Sequence, residues 1–282
     1  MTAAPVRRPT FGSRISRAVL PVFTGLAVIY LFLPIIVMIL FSFNDPRGRQ
    51  NITWQGFTID NYFTLWNRAD VTAPMINSII VAAIATIAAT ILGTLIGLAL
   101  TRYEFRGRGP LNLLIYVPMA TPEVILGASL LSLWVTAGVS RGLATIIIAH
   151  VMFNISYVVV TVRARIAGFN RSLEEAAMDL GADEMTTFRK VTLPLILPGI
   201  VAAALLAFVL SIDDYVITLF VAGQSRTFPL WVFGVSRFGV PPEVNVLGTL
   251  IFVVALVFIL AQILWARRRE AAEKSLATET AK

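Results

Sequence analysis

The stretch SLEEAAMDLGADEMTTFRKVTLPLILPG, residues Ser172–Gly199, is a charged segment between two long apolar runs. Ser172 and Glu175 match a capping box, in which a serine side chain and a carboxylate three residues later satisfy free amides at a helix start. Gly181 stands where such a helix would end, because glycine accepts the left-handed backbone of a C-terminal cap. The pattern predicts a short helix that begins at Ser172.

The second half of this stretch predicts another short helix. Asp183 can cap its start, and the helix is expected to stop before Pro194. In the first helix, one face collects small and apolar side chains at helical spacing, namely Leu173, Ala176, Ala177 and Leu180. We therefore expect a water-exposed, two-helix knob with an alanine-rich face that docks onto a partner.

Composition places the rest of the chain in a membrane. Of its 282 residues, 57% are hydrophobic and only 14% are charged, which is far from the range of soluble domains. The chain has no cysteine and one histidine, which excludes disulfides and thiol catalysis and argues against a transition-metal site.

Six apolar runs are long enough to cross ~30 Å of hydrocarbon, so the sequence predicts an all-α polytopic protein with six transmembrane helices. The first run follows a basic leader like that of a signal peptide, but it is too long for a cleavable segment, and we expect a retained anchor. The predicted spans are 19–43, 75–100, 111–137, 143–162, 195–222 and 246–266.

These spans divide the chain into a tail (1–18), a first helix (19–43), an external loop (44–74), a five-helix core (75–266) that contains the loop 170–194, and a second tail (267–282). Arginine and lysine on the side of the two tails number 17, against 6 on the opposite side. The positive-inside rule therefore predicts that both termini and the two-helix knob are cytoplasmic.

Three carboxylates stand inside apolar runs, where a charge is costly. Glu123 follows Pro118 and Pro122, two prolines that must kink or open the third span and free carbonyls for a cavity. Asp213 and Asp214 lie in the fifth span, and since neighbouring helical side chains point about 100° apart, only one can face a given cavity. The sequence does not say which of the two does so.

Two interpretations of these carboxylates remain open. They can have a structural role, either paired with Arg163, Arg226 or His150 or protonated, or they can line a substrate path. An acidic path flanked by Tyr215 and Trp231 favours an amine or another cation through charge pairing and cation–π contact. His150 is expected to pack or hydrogen-bond within the helices rather than to bind a ligand, and Asn154 one turn later has the same interpretation.

The chain contains no glycine-rich phosphate loop of the G-x-x-x-x-G-K-[ST] type, so it has no P-loop with which to hydrolyse ATP. No serine–histidine or paired-carboxylate arrangement indicates a hydrolase either. A proton-coupled carrier or a membrane enzyme that uses the three carboxylates is the alternative function. Such a carrier has no need of a capped cytoplasmic knob.

The knob resembles the EAA loop of ABC importer permease subunits, which reads Glu-Ala-Ala, three residues, Gly, nine residues, then Ile-x-Leu-Pro. Valine replaces isoleucine here, and otherwise the spacing agrees. Further stretches, including residues 211–218 and 238–245, look like the spermidine/putrescine permeases. The loop positions that carry the resemblance are Glu175, Ala176, Ala177, Gly181, Leu193 and Pro194.

This resemblance implies a permease with the type I importer fold that supplies half of a translocation pathway. A homologous permease would supply the other half, two copies of a cytoplasmic ATPase would bind ATP and Mg beneath, and an external solute-binding protein would deliver the solute. In that scheme the chain has no cofactor and no catalytic residue of its own, and the EAA-loop positions couple it to the ATPase.

Overall fold

The computed structural model describes residues 11–48, 50–168, 170–257, 260, 261 and 264. These residues form helices and connecting loops, with a single isolated antiparallel bridge between Asn44 and Phe57. The predicted tail 267–282 and residues 1–10 lie outside this part of the chain. The helices are α1 (Phe11–Ser42), α2 (Asp60–Thr64), α3 (Ala69–Arg102), α4 (Arg108–Ala120), α5 (Glu123–Thr136), α6 (Leu143–Ala167), α7 (Ser172–Asp179), α8 (Glu184–Thr187), α9 (Leu193–Ile212), α10 (Val216–Val221), α11 (Phe228–Ser236) and α12 (Pro242–Val257).

Four helices of the described part are long and apolar enough to cross a membrane, and α4 with α5 makes a fifth if this pair, bent by 107°, counts as one span. The all-α polytopic class is confirmed. The sixth predicted span, 246–266, coincides with α12 only as far as Val257, and most of its remaining residues are not described. The four helices are Val19–Ser42, Ala69–Arg102, Leu143–Ala167 and Glu184–Ile212.

The chain divides into two compact units, residues 1–67 with 235–282, and residues 68–234. The first contains α1, α12 and the loop after α1, which an asparagine pair organises. Asn44 Nδ2 donates to Asn51 Oδ1 at 2.6 Å, and Asn51 Nδ2 donates to the Phe41 carbonyl at 2.7 Å. The Asn51 amide also donates to the Val240 carbonyl at 2.8 Å. Hydrogen bonds of these asparagine side chains thus stabilise the conformation of the loop.

The second unit is built on α3, α6 and α9, which pack along stripes of small residues. On α3 these are Ala85, Ala89, Gly93 and Gly97, all buried. A Cβ on Gly93 would lie 2.7 Å from the Val158 side chain and 3.2 Å from the Ile155 carbonyl on α6. Small residues therefore let the two backbones approach closely, which is how helices gain dispersion energy without a hydrophobic driving force.

The predicted fifth span, 195–222, is wrong as a single helix. Helix α9 ends at Ile212 and α10 begins at Val216. The reason lies in Asp214, whose carboxylate accepts from the amides of Ile217 (3.3 Å) and Thr218 (2.8 Å). A side-chain acceptor that satisfies amides of the next turn starts a new helix there.

The predicted capping box of the knob is also wrong. Ser172 is the first residue of α7 and makes no side-chain cap. Its amide instead donates to Asn170 Oδ1 at 3.1 Å, so the cap stands two residues earlier than predicted and leaves Glu175 without a capping role. The cap by Asp183 is confirmed, since its Oδ1 accepts from the Thr186 amide at 2.9 Å.

The second knob helix does not stop before Pro194. After α8 the chain makes a π turn over Phe188–Thr192 and continues directly into α9. Within this turn the Leu193 amide donates to the carbonyl of Phe188, five residues back. Pro194 has no amide hydrogen, and it is accommodated because it follows this wider turn and lies in the first turn of α9.

The packing of α3 on α6 gives a direct test of this fold. Gly93→Ala should lower the thermal melting temperature of the purified protein, because the new methyl group meets Val158 at a distance that side chains do not tolerate. Gly25→Ala is the matched control, since Gly25 lies within α1 and has open space around it. Equal melting temperatures for the two variants would contradict the close approach of α3 and α6.

Candidate functional site

A cavity of about 560 Å³ lies within the second unit, between α4, α5, α6, α9 and α10. Two breaks in the described membrane-spanning helices border it, one between α4 and α5 and the other between α9 and α10. Its lining consists of Pro118, Met119, Ala120, Thr121, Pro122, Glu123, Leu126, Phe153, Tyr157, Leu210, Asp213, Asp214, Tyr215, Val216 and Ile217. The structure thus brings together the three carboxylates and Tyr215, as the sequence predicts.

The first break separates α4 from α5 at Thr121 and Pro122. The predicted kink is confirmed, and it is large, at 107°. Thr121 ends α4 by donating its amide and its hydroxyl to the Val117 carbonyl, at 2.9 and 2.7 Å. Glu123 is the first residue of α5, and its carboxylate stands where the helix dipole favours a negative charge. Glu123 is therefore at the bend rather than inside a continuous span.

The second break assigns different environments to the two neighbouring aspartates. Asp214 has only 6% of its side chain exposed, and its Oδ2 accepts from the Thr218 hydroxyl at 2.6 Å in addition to the amides of α10. Asp213 is exposed, lines the cavity and has no ion pair among the described residues. Asp214 is thus the anchor of the break, and Asp213 is the carboxylate available to a ligand.

His150 joins the two sides of this break from α6. Its Nδ1 lies 2.6 Å from Ser211 Oγ at the end of α9, and its Nε2 lies 3.0 Å from Thr218 Oγ1 on α10. Nε2 is also 3.3 Å from Asp214 Oδ2. The predicted hydrogen-bonding role of His150 is confirmed. Of the two open interpretations of the carboxylates, pairing holds for Asp214.

The hydrogen bonds around His150 also suggest its tautomer. The Thr218 hydroxyl donates to Asp214, so it accepts from the Nε2–H of the imidazole. Nδ1 is then free to accept from the Ser211 hydroxyl. Asn154, one turn along α6, is fully buried, and its amide atoms have no hydrogen-bond partner among the described residues. Of the two roles predicted for Asn154, packing and hydrogen bonding, the described residues support packing.

The two aromatic residues predicted on the substrate path have different positions. Tyr215 lines the cavity, with its ring centroid 4.5 Å from that of Phe233. Trp231 does not line it. This indole is only 5% exposed and stacks on Phe228 with a centroid distance of 6.0 Å. The prediction for Trp231 is wrong because α11 turns this side chain into the packed interior.

The knob is fastened to the end of α3 by a residue that the sequence analysis did not single out. Glu174 is 7% exposed and forms a bidentate ion pair with Arg102, the last residue of α3, with Nη2 2.6 Å from Oε1. Its Oε1 also accepts from the hydroxyl of Thr192 in the π turn. Glu174 thereby connects α3, α7 and the start of α9.

The ion pair explains the electrostatics of Glu174. The Arg102 guanidinium and the Thr192 hydroxyl hold the pKa of the Glu174 carboxyl below its ordinary value, against the opposing effect of burial. In the sequence, Glu174 is one of two adjacent glutamates, and Arg102 is 72 residues away. No local spacing reveals such a pair, so only the structure identifies it.

Most of the other knob residues face solvent. Glu175 and Ala176 are exposed, and Ala177 is half-buried. Gly181 has φ of +90°, the left-handed conformation that the predicted helix end requires. Leu180 beside it is 90% exposed. An apolar tip in water, next to small side chains, is typical of a surface that another protein covers.

Solved structures with this fold are chains of bacterial ABC transporters. One is a transporter involved in the import of the acidic polysaccharide alginate, with a TM-score of 0.64 and 19% identity over 92% of this chain and 99% of that chain. A structure of a bacterial alginate ABC transporter in complex with a pentasaccharide-bound periplasmic protein matches with a TM-score of 0.62 and 17% identity, over 89% and 94% of the two chains. The fold is that of an ABC importer permease.

Sequence comparison defines the family. Residues 89–270 match the model described as binding-protein-dependent transport system inner membrane component, and the chain belongs to this family. It is 39% identical to the spermidine/putrescine transport system permease protein PotC of Haemophilus influenzae over 85% of this chain and 93% of that protein. It is 40% identical to the putrescine transport system permease protein PotI of Escherichia coli K12, over 84% and 87% of the two chains. The resemblance seen in the sequence is confirmed, and the chain is a multi-pass inner-membrane permease.

The ion pair of the knob leads to a stability prediction. Arg102→Gln or Glu174→Gln should each lower the free energy of unfolding by about 2 kcal/mol, because each removes one member of a buried ion pair. The free energy of unfolding of the double variant should fall by less than the sum of the two single effects, because the two residues interact directly. Thermal melting of the four proteins measures this cycle, with Glu104→Gln, a side chain 93% exposed, as the control.

The same pair predicts a dependence on pH. Because folding lowers the pKa of Glu174, the pair stabilises the protein at neutral pH, and this contribution is lost as pH falls through the depressed pKa. The difference in melting temperature between the unmodified protein and Glu174→Gln should therefore become smaller as the pH is lowered below the ordinary pKa of a glutamate. A difference that stays constant down to pH 3 would contradict the ion pair.

Proposed function

We propose that this chain forms half of the translocation pathway of an ATP-driven importer for a small cation of the polyamine class, such as spermidine or putrescine. The proposal rests on Asp213, an exposed carboxylate that forms no ion pair with any described residue and lies at a helix break bordering a cavity of about 560 Å³. The names of the relatives PotC and PotI, which contain spermidine and putrescine, support the same class of solute.

The cavity has the chemistry that an alkylammonium ion requires. Asp213 and Glu123 supply acceptors for charge-assisted hydrogen bonds, and Tyr215 and Tyr157 present aromatic rings beside them. Such rings attract cations by about 0.5–2 kcal/mol each when the site is shielded from water. The apolar lining from Leu126 and Phe153 suits the methylene chain between two amines.

Membership of the family supports a set of partners for this chain. A homologous permease supplies the other half of the pathway, and an external solute-binding protein delivers the cation. Two cytoplasmic ATPase subunits bind ATP and Mg, so this chain is not an enzyme and holds no cofactor. The excess of arginine and lysine, 17 against 6, supports cytoplasmic positions for both termini and for the knob.

The knob couples the permease to the ATPase. Its small and exposed positions allow a close approach to a groove on the partner, and the apolar Leu180 is then buried in the interface. ATP-driven closure of the ATPase pair moves the two knobs together, and the packed helices convert this motion into a rigid-body switch. The coupling positions are Glu175, Ala176, Ala177, Gly181, Leu193 and Pro194.

The first test of this function concerns the cation path. Asp213→Asn should lower the initial rate of ATP-driven uptake of labelled putrescine by about tenfold or more, equivalent to about 1.4 kcal/mol of lost charge pairing. Recovery of the assembled complex and its melting temperature should be unchanged, because Asp213 bears no structural contact comparable to those of Asp214. Full uptake by Asp213→Asn would refute the acidic path.

The neighbouring aspartate provides the contrast. Asp214→Asn should lower the melting temperature and the yield, since it removes a charged acceptor from α10 and from His150. A variant pair in which Asp213→Asn destabilises and Asp214→Asn leaves stability intact would reverse the assignment of the two residues.

The second test concerns coupling. Ala177→Glu and Gly181→Asp should abolish ATP-driven uptake while the chain still inserts in the membrane, because each side chain wedges the docking surface. Gly107→Asp is the control for Gly181→Asp. Gly107 has φ of +94° and nothing within 4 Å of an added Cβ, and it lies outside the knob. Uptake that survives in both knob variants, or is lost equally in the control, would defeat the coupling role.

A further inference from the structure

A second cavity, of about 380 Å³, lies where the ends of α3, α4 and α6 meet. The lining comes from the C-terminal parts of α3 and α6 and from Arg108 and Tyr116 of α4, and Arg108 begins α4 at the end of the helices that we propose to be cytoplasmic. It shares no lining residue with the first cavity. The lining consists of Leu100, Thr101, Arg108, Tyr116, Val160, Arg163, Ala164 and Ala167.

Two guanidinium groups give this pocket a positive charge. Arg163 is half-buried, and its one hydrogen bond among the described residues runs from Nη1 to the neutral Asn112 Oδ1 at 2.5 Å. Within the part of the chain that the structure describes, the Arg108 guanidinium contacts a single carboxylate, that of Glu104, at 3.4 Å, and the Glu104 side chain is 93% exposed. A half-buried guanidinium without a carboxylate partner favours an anion beside it.

The other residues of the pocket indicate an amphipathic ligand. Tyr116 offers a phenol at the same site as the two arginines, whereas Leu100, Val160 and Ala164 form an apolar wall. On α4 nearby, Leu113 and Leu114 are 71% and 63% exposed, as side chains that face lipid would be. The pocket therefore combines a site for a phosphate with a surface for an acyl chain.

We propose that this pocket binds the headgroup of an anionic phospholipid, with Arg108 and Arg163 contacting the phosphate. Asn112 positions the Arg163 guanidinium through their hydrogen bond. Basic pockets between membrane helices on the cytoplasmic side bind acidic headgroups in this manner. A bound lipid would neutralise the unpaired charge of Arg163 and bridge α3, α4 and α6. This inference does not depend on the solute that the permease carries.

Native mass spectrometry of the full chain, purified with the subunits that stay bound to it, tests the proposal. The protein is titrated in detergent with phosphatidylglycerol or with phosphatidylcholine of the same acyl chains. Phosphatidylglycerol should bind at a concentration at least about tenfold lower. Arg108→Gln with Arg163→Gln should weaken phosphatidylglycerol binding about thirtyfold, on the basis of the usual contribution of each arginine. Phosphatidylcholine binding should weaken much less, because its choline cation already offsets the charge of its phosphate.

A charge-matched variant serves as the control. Arg106→Gln with Arg189→Gln also removes two positive charges, but at exposed positions outside the pocket. This variant should keep the preference for phosphatidylglycerol. Arg108→Gln alone keeps the Arg163–Asn112 hydrogen bond, so it tests the site even if the double variant fails to fold, with an expected loss of about fivefold.

Three results would overturn the proposal. One is equal binding of the two lipids by the unmodified protein, and another is an equal loss of binding in the control variant. The third is displacement of phosphatidylglycerol by 10 mM inorganic phosphate, which would make the pocket a site for a soluble anion. Failure of ATP-driven uptake in the unmodified complex would instead refute the proposed function and leave this lipid site untouched.

Discussion

The absence of water from the hydrocarbon core is the constraint on which this structure depends. Backbone amides and carbonyls there must bond to each other, so a spanning segment stays helical unless it borders a cavity or is buried in protein. Two of the spanning segments are broken, at Thr121–Pro122 and at residues 213–215, and both breaks border the same cavity. The free energy lost in breaking two helices is offset only where side chains such as Asp214 and Thr121 satisfy the released groups.

The two helix breaks are stabilised in different ways, one by residues near it in sequence and the other by a residue of another helix. Prolines and a threonine open the first locally, whereas the second depends on His150, which reaches across from α6 to both of its sides. At the other end of the helices, Glu174 joins three elements through Arg102 and Thr192. The knob is therefore attached to α3 as well as to its chain neighbours α6 and α9. Since small residues pack α3 tightly against α6, the coupling that we propose would pass a displacement of the knob to the helices that surround the cavity.

Much of this arrangement is predictable from local patterns in the sequence. The kink at Pro118 and Pro122, the cap at Asp183 and the glycine turn at Gly181 follow from rules about single residues and their neighbours. Apolar runs indicate the class of the fold, although the helix bounds and the break of the fifth span differ from those runs. The break escapes prediction because residues 195–222 are apolar enough for one helix, and hydropathy carries no information about side-chain acceptors.

What the sequence does not reveal are contacts between distant residues. The pair of Arg102 and Glu174, the bridging position of His150 and the different environments of Asp213 and Asp214 all depend on how helices pack. Trp231 shows the opposite error, since an aromatic residue near a membrane boundary was expected on the path and is instead packed on Phe228. Long-range packing thus decides which of several equivalent polar or aromatic residues lines the cavity.

We propose that the cavity passes a cation through an ATP-driven complex. The most direct test is uptake of labelled putrescine by vesicles that contain the assembled complex and the solute-binding protein, with ATP either supplied to or withheld from the side of the membrane on which the ATPase lies. A cation pathway of this kind predicts uptake that requires ATP and is inhibited by other alkyl polyamines but not by neutral or acidic solutes of similar size. Uptake that proceeds without ATP, or competition by neutral solutes as strong as that by polyamines, would contradict it.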